Sequence, residues 1–248
     1  MSGGDAPSGR DLAARGVQRT LLRVLGARFS PVEVRAVDDL APCYRRVTFH
    51  GPELLARRPM TPALWLRLWF EDGDRRAQRA FTFVDPDPGS GTFDVWFALH
   101  DADGPAVRWA RTARPGDVLG ATVLTRPLVL PTPPPAAALL AGDETAVPAI
   151  ASILAALPPS VAVRVLLQGP PGLPLRSAGH VRVEHVPDLA GAVATLALEH
   201  PDTYAWVAAE SDVVRDVKRL LREQHGLPPA RVGGQGYWRA GQAMGSSR

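Results

Sequence analysis

The chain has 248 residues, of which 46% are hydrophobic and 21% are charged, and its formal net charge is +3. The apolar share is large enough to bury a core, and the charged share is too small for an intrinsically extended chain. The composition therefore argues against a disordered protein, and the length predicts one large domain or two compact ones.

Residue spacing disfavours several further classes. Cys43 is the single cysteine, so no internal disulfide can form, and no two histidines have the HxxxH or HExxH spacing of a metal site. No apolar run approaches the roughly 18 residues that cross a bilayer. The first residues lack the basic start and apolar core of a secretory signal. We therefore expect a cytoplasmic protein without a metal site or membrane insertion.

The basic charge is almost entirely arginine, since Lys218 is the one lysine among 28 basic residues. Arginine presents a planar fork that suits phosphates and carboxylates. A GC-rich coding sequence would produce the same preference. The arginines are spread along the chain and form no stripe, so nucleic acid is a poor candidate partner.

Residues 1–30 predict an N-terminal tail followed by a short amphipathic helix at 11–27, where leucines recur at roughly helical spacing. Between residues 31 and 126, short β-type runs alternate with turn residues. The runs are VEVRAV, YRRVTFH, ALWLRLWF, RAFTFV, TFDVWFAL and VLGATVL. This spacing predicts an antiparallel, six-stranded β-barrel domain.

Five prolines fall within residues 126–135, and each fixes φ and removes a backbone donor. We therefore expect a stiff linker at 127–136 between two domains. From residue 137 to 248, strand-type runs alternate with helix-type runs. The helix-type runs are ETAVPAIASILAALP, GAVATLALEH and SDVVRDVKRLLREQHG. Such alternation predicts an α/β domain built on a parallel sheet.

The run RAFTF carries the first candidate site residues. In a regular strand, Arg79 and Phe81 share one face, and Ala80 and Thr82 share the other. Arg79 is then a candidate to clamp a diphosphate, and Phe81 to lie against a flat ring. An ordinary amphipathic strand explains this short run equally simply, and for the run alone it is the favoured interpretation.

A second candidate segment runs from Ala98 to Ala110. His100 ends a strand, DADGP forms a turn, and Ala106 begins a helix whose first N–H groups lack internal partners and attract phosphate. Trp109 either covers an adenine or packs beneath the barrel, and packing is the more common role of a lone tryptophan.

These residues resemble those of the siderophore-interacting proteins, which are FAD-containing ferric-siderophore reductases of the ferredoxin-reductase-like superfamily. The resemblance covers nearly the whole chain from about residue 30. RAFTF stands where the family usually has Arg-x-Tyr-Thr. The other matching motifs are LHDADGPAVRWARTARPGD, LLAGDETAVPAI and GYWRAG.

The resemblance implies an FAD-binding barrel followed by an NAD(P)-binding domain, and it assigns roles to three groups of residues. The group toward the flavin and its phosphates is Arg79, Phe81 and Thr82. The group toward the diphosphate and adenosine is His100, Gly104, Pro105 and Ala106. The group at the entrance of the nicotinamide domain is Asp143, Glu144 and Thr145.

The α/β domain has no GxGxxG run. Its AGDETAVPA segment instead predicts a tight turn at Gly142, an N-cap at Thr145 and Pro148 within the first helical turn; a purely structural capped helix is the alternative. Glu210 follows a strand end and is a weaker candidate for a cofactor contact. Tyr237 and Trp238 either shield a flavin face or complete the core.

The sequence departs from the family pattern at three places. Phe81 replaces the usual tyrosine and lacks its hydroxyl, Val107 replaces a frequent serine, and GATVLTRP at 120–127 replaces a Gly-Pro-x-Gly turn. These departures motivate a second hypothesis: a non-redox pathway protein of the same fold that binds or rearranges a small molecule, with FAD structural or absent. A general flavin reductase is a third.

The first hypothesis is that NAD(P)H reduces FAD and that a ferric siderophore then receives the electrons and releases Fe(II). Oxygen ligands hold Fe(III) better than Fe(II), so no protein ligand to iron is required. Several arginines are candidates to attract an anionic ferric complex, although solvated surface charge is their simpler role. They are Arg45, Arg46, Arg67 and Arg75.

Overall fold

The protein is described from a computed structural model that covers residues 30–56, 59–73, 75–99, 104–123, 128–169, 175, 179–198 and 200–241. These residues form two β-sheets, one antiparallel and one parallel, as the sequence predicts. The predicted N-terminal tail and the predicted helix at 11–27 lie outside the described residues. No described helix combines the length and apolar composition that crossing a membrane requires.

The first sheet has seven antiparallel strands in the order β4-β3-β7-β1-β2-β6-β5. They are β1 (Ser30–Ala41), β2 (Tyr44–His50), β3 (Trp65–Asp72), β4 (Arg75–Thr82), β5 (Val84–Asp87), β6 (Thr92–Ala98) and β7 (Val118–Thr122). Helices α1 (Pro52–Leu55) and α2 (Pro105–Thr112) accompany this sheet.

The predicted strand count of six is wrong by one because the run RAFTFV forms two strands. The chain leaves β4 at Phe83, whose N–H donates to the carbonyl of Leu64 at 2.9 Å. Asp85 then has a positive φ of 44°, and β5 pairs with β6 instead of continuing along β3. This break leaves residues 79–82 in β4 at one edge of the sheet and Val84 in β5 at the other.

Side chains of alternating strand positions fill the core of the first sheet. Leu66, Leu68 and Phe70 of β3 are each at most 1% exposed, and Phe93 and Phe97 of β6 are at most 2% exposed. Removing such side chains from water stabilises the fold by about 1.5–3 kcal/mol each. The period-two pattern of the sequence is therefore the direct cause of this core.

The second sheet has five parallel strands in the order β10-β9-β8-β11-β12. They are β8 (Ala137–Asp143), β9 (Ala162–Gln168), β10 (Val181–His185), β11 (Thr203–Glu210) and β12 (Val232–Trp238). The helices are α3 (Val147–Ala156), α4 (Leu189–Thr195) and α5 (Ser211–Glu223), with 3-10 turns at Glu144–Ala146 and Pro229–Arg231. Helix α3 covers one face, and α4 and α5 cover the other.

The predicted helix at GAVATLALEH begins earlier and ends sooner than its apolar spacing indicates. Asp188 caps the helix by accepting from the N–H groups of Ala190 and Gly191, so α4 starts at Leu189. At Leu196 the backbone becomes extended, and this side chain is buried in the core beneath α4 and α5. The chain therefore buries Leu196 in an extended conformation instead of continuing the helix.

The two sheets pack against each other through the face that carries α3. Tyr44 of β2 is buried in one apolar cluster with Ile150 and Ile153 of α3. The backbone N–H of Ala63 donates to the hydroxyl of Ser152 at 3.2 Å. The first sheet ends at Thr122 and the second begins at Ala137, while the domain limits at 126 and 136 stay a prediction.

Gly234 is required by the close approach of β12 to β11. Its φ is +146°, and an added Cβ would collide with the carbonyl oxygen of Val207. We expect Gly234→Ala to lower the free energy of unfolding by about 2–4 kcal/mol through backbone strain and displacement of β12. Gly179→Ala is the matched control, because a Cβ there meets nothing within 4 Å. Urea unfolding of both variants checks this, and equal stabilities would contradict it.

Candidate functional site at the crevice between the sheets

The carboxyl ends of three parallel strands meet at one edge of the second sheet. Asp143 ends β8, Glu210 ends β11 and Trp238 ends β12. Ligands of open α/β sheets bind at this edge. Thr82, at the end of β4 in the first sheet, reaches the same place through Tyr237 of β12. Residues from both halves of the chain thus meet here, at a junction that we call the crevice: Asp143, Glu210, Tyr237 and Trp238 of the second sheet and Thr82 of the first.

Asp143 is the most strongly held carboxylate of this crevice. It is 6% exposed, and its Oδ1 accepts from the N–H of Thr145 at 2.9 Å and from the Thr145 hydroxyl at 2.5 Å. Its Oδ2 accepts from the indole Nε1 of Trp238 at 2.7 Å. The predicted cap at Thr145 is therefore wrong: Asp143 caps the 3-10 turn, and Thr145 is a donor to it.

The neighbouring predictions for the AGDETAVPA segment hold in part. Pro148 lies in the first turn of α3, as predicted. Gly142, predicted in a tight turn, lies in strand β8 instead. It is required there because an added Cβ would lie 2.7 Å from the carbonyl oxygen of Ala208 on β11. Close packing of β8 against β11 therefore requires glycine at this position, and the turn begins after Asp143.

Tyr44 is a crevice residue that the sequence analysis missed. Its phenol donates to the backbone carbonyl of Glu144, which places Glu144 at the junction of the two sheets. Burial, together with the charges of Glu144 and Asp143, raises the pKa of Tyr44 far above its usual range. The contact joins residues 100 positions apart, so no local pattern could have revealed it.

Thr82 and Tyr237 form a second link between the sheets. Thr82 is 6% exposed, and its hydroxyl lies near the phenol of Tyr237. Burial raises the pKa of Tyr237 to about 12, against the opposing effect of the Thr82 hydroxyl. The Tyr237 ring also meets Trp206 edge-on, with centroids 6.5 Å apart. Tyr237 therefore completes the core and lines the crevice at once.

Arg79 and Phe81 lie on the same face of β4, as the alternation predicts, because they stand opposite Leu68 and Leu66 of β3. The half-buried Phe81 ring packs against Phe97, with centroids 4.5 Å apart. The half-buried Arg79 guanidinium donates to the carbonyl of Gln78 at 2.8 Å. Phe81 is thus part of the aromatic core, and contact of either residue with a cofactor stays a prediction.

Helix α2 presents an N-terminus with the features of a phosphate site. Gly104 is the N-cap, Pro105 follows it, and no side chain in the described part of the chain caps the first turn. A Cβ on Gly104 would meet nothing within 4 Å among the described residues. His100, predicted for the same site, lies outside the described residues.

Two other candidates have contacts that serve the fold. Trp109 stacks on Phe49 with ring planes 13° apart and packs against Phe97 with centroids 5.5 Å apart, so it packs beneath the first sheet. The Glu210 carboxylate accepts from the N–H groups of Asp212 and Val213 and caps α5. Contact of either side chain with a cofactor stays a prediction.

Three of the four arginines predicted to attract an anionic complex are engaged within the chain. Arg45 pairs with Asp39 at 2.7 Å and donates to two carbonyls at the end of α2. Arg46 pairs with Asp38 at 3.0 Å. Arg67 donates to Gln78 at 2.9 Å and lies over the ring of Trp65. The side chain of Arg75 lies outside the described part of the chain.

Comparison with protein families identifies both halves of the chain. Residues 56–123 match the siderophore-interacting FAD-binding domain, and residues 135–241 match the siderophore-interacting protein model. The chain belongs to the siderophore-interacting protein family.

Two solved structures, of a siderophore-interacting protein and of a ferredoxin NADP+ reductase, have the same fold as this chain. SipS, a siderophore-interacting protein from Aeromonas hydrophila, is 26% identical with a TM-score of 0.74 over 88% of this chain and 94% of that one. A ferredoxin NADP+ reductase from Neisseria gonorrhoeae with bound FAD and NADP is 13% identical, with a TM-score of 0.63 over 86% of this chain and 100% of that one. The fold is therefore ferredoxin-reductase-like.

Two relatives differ in how much of their own length this chain matches. The mycobactin import ATP-binding/permease protein of Mycolicibacterium smegmatis is 34% identical over 95% of this chain. The chain spans only 29% of that relative's length. The ferric acinetobactin reductase of Acinetobacter baumannii is 26% identical over 66% of this chain and 61% of its own length.

The buried tyrosines give the fold a pH dependence. Burial raises the pKa of Tyr204 and Tyr237 to about 12, and that of Tyr44 further, against about 10 in an unfolded chain. The folded state therefore keeps protons that the unfolded state releases. We expect full stability below about pH 10 and a loss above it of up to about 1.4 kcal/mol per pH unit for each tyrosine.

Urea unfolding across this pH range, with tyrosinate absorbance of the folded protein, checks this expectation. Tyr44→Phe should reduce the slope above about pH 10, since one raised group is removed. Ionisation of all three tyrosines near pH 10 in the folded protein would contradict the burial argument.

Proposed function

We propose that this chain is an FAD-dependent oxidoreductase that takes electrons from NADH or NADPH and reduces a ferric siderophore, releasing Fe(II). One observation carries the proposal: the half that matches a siderophore-interacting FAD-binding domain adjoins the half that matches the siderophore-interacting protein model, where Thr82 at the end of β4 lies beside Tyr237 of β12. Thr82, Tyr237 and Asp143 line that junction.

The residues of the first half fit FAD. The N-terminus of α2, which no described side chain caps, would offer N–H groups and a partial positive charge to the diphosphate. Arg79 adds a guanidinium that can pair with phosphate oxygens. Thr82 holds a hydroxyl at the end of β4 that can hydrogen-bond with the flavin. Bound FAD would supply the conversion from two-electron to one-electron chemistry.

The second half would bind the nicotinamide nucleotide at the carboxyl edge of its sheet. Glu144 and Thr145 stand at the turn that follows β8, and Trp238 stands at the end of β12. The packed aromatic side chains of the first sheet and the contacts of Tyr44 and Tyr237 exclude water from the wall behind the crevice. This chain would therefore position two cofactors and shield the electron transfer between them.

The substrate requires no iron ligand from the protein. Oxygen donors bind Fe(III) much more strongly than Fe(II), so reduction itself loosens the complex. The relationship to a protein named as a ferric acinetobactin reductase supports this substrate class. Measurement decides whether NADH or NADPH is the electron donor and which kind of siderophore is the substrate.

A repurposed, non-redox protein is the second candidate, and the packing of Phe81 favours it. The ring lies in the aromatic core and carries no hydroxyl for the flavin. Colour separates the two candidates: a yellow protein bleached by NADH or NADPH under anaerobic conditions supports the reductase. A colourless protein that takes up no added FAD would leave the repurposed protein as the better account.

The complete reaction is tested by adding a ferric catecholate and a ferric hydroxamate to the bleached protein and trapping Fe(II) with a chelator. Return of the yellow colour together with trapped Fe(II) is expected for at least one complex. Rapid reoxidation by oxygen alone, with no Fe(II) formed from either complex, would indicate a general flavin reductase.

Arg79→Ala should weaken FAD binding by about 1–3 kcal/mol, because a charge-assisted phosphate contact is lost. Arg76→Ala is the matched control, since Arg76 lies on the same strand and is exposed. Titration of the apoprotein with FAD measures both affinities. An unchanged affinity in Arg79→Ala, or an equal loss in both variants, would remove Arg79 from the site.

A further inference from the structure

The Asp143 carboxylate is already filled by donors of its own chain. Three N–H or O–H groups point at its two oxygens: two from Thr145 and the indole N–H of Trp238. A carboxylate has about four acceptor positions, and this one is 6% exposed. A ligand therefore finds little of Asp143 to contact, although the family resemblance places this residue at the nicotinamide entrance.

Trp238 has the opposite properties. Its side chain is 41% exposed, which is unusual for a large apolar ring, yet it is fixed at two points. The indole N–H donates to Asp143 at 2.7 Å, and the backbone carbonyl accepts from the hydroxyl of Ser211 at 2.9 Å. Gly236 allows this second contact, because a Cβ there would lie 2.5 Å from the Ser211 oxygen.

We propose that Trp238 is the surface on which a ring of NADH or NADPH stacks, and that Asp143 is a positioning residue that holds the indole in place. This inference rests on the proposed function, because it names the nucleotide as the ligand. A ring that is already oriented loses less rotational freedom when a ligand stacks on it, so its orientation contributes to affinity. The carboxylate thus acts on the nucleotide through the indole and not by contact.

A double-mutant cycle on the FAD-loaded protein tests whether Asp143 acts on the nucleotide through Trp238. The probes are NADH and NADPH, and the readout is their dissociation constant. Asp143→Asn and Trp238→Phe should each weaken binding about tenfold, and the double variant should weaken it by no more than about twofold further. Trp238→Ala should weaken it more than Trp238→Phe, because the ring itself is lost.

Other outcomes of the cycle overturn the inference. If Asp143→Asn weakens binding by the same factor with Trp238 and with Phe at that position, Asp143 contacts the nucleotide directly. If Trp238→Ala binds like the native protein, no ring stacks there. Asp202→Asn is the matched control at the opposite edge of the sheet, where Asp202 pairs with Arg231. It should alter stability without changing nucleotide affinity.

A measurement without nucleotide keeps the inference separate from the proposed function. The six tryptophans give six indole N–H resonances, and Trp238→Phe identifies one of them. Asp143→Asn should shift that resonance and speed its exchange with water. An unmoved resonance would refute the positioning link, whichever ligands bind. A shifted resonance in a protein that binds neither NADH nor NADPH would refute the stacking role and the proposed function, and leave the Asp143–Trp238 link standing.

Discussion

The side-chain contacts at the end of β12 are the constraint on which the crevice depends. Tyr237 lies beside Thr82 of the first sheet, and the indole of Trp238 donates a hydrogen bond to Asp143 of β8. A single such bond contributes only about 1 kcal/mol net, but an unsatisfied buried partner costs about 1–3 kcal/mol. Separating the buried partners would therefore cost more free energy than their pairing contributes, and this cost keeps both walls of the crevice in place.

Core packing in the first sheet decides which residues remain for a ligand. Phe70, Phe81, Phe97 and Trp109 interlock, and aromatic pairs of this kind contribute about 0.5–1.5 kcal/mol each beyond the area that they bury. Replacement of the family's tyrosine by Phe81 is consistent with this packing, since a phenol would need a partner. The groups around the core to which the proposed function assigns cofactor contacts are polar: Arg79, Thr82 and the first turn of α2.

The sequence predicted the features that repeat locally. Alternation placed Arg79 and Phe81 on one face of β4, and the strand-helix alternation predicted the parallel sheet. It could not predict the pairs Tyr44–Glu144 and Asp143–Trp238, because these join residues 100 and 95 positions apart and depend on strand order. The position of the cap could not be predicted either: Asp143 and Thr145 both carry side-chain oxygens, and only the end of β8 decides that Asp143 is the cap.

The arginines contribute less to long-range electrostatic attraction than the positive net charge alone indicates. Arg45, Arg46 and Arg164 each pair with a nearby carboxylate, and the pair of Arg164 with Glu184 is bidentate at 2.7 and 2.9 Å. Paired charges of this kind produce weak fields beyond about 8–10 Å in physiological salt. Under the proposed function, long-range attraction would therefore contribute little to the choice of substrate. Selection would fall to the short-range contacts inside the crevice, where Thr82, Tyr237 and the indole of Trp238 define the shape that a ring must match.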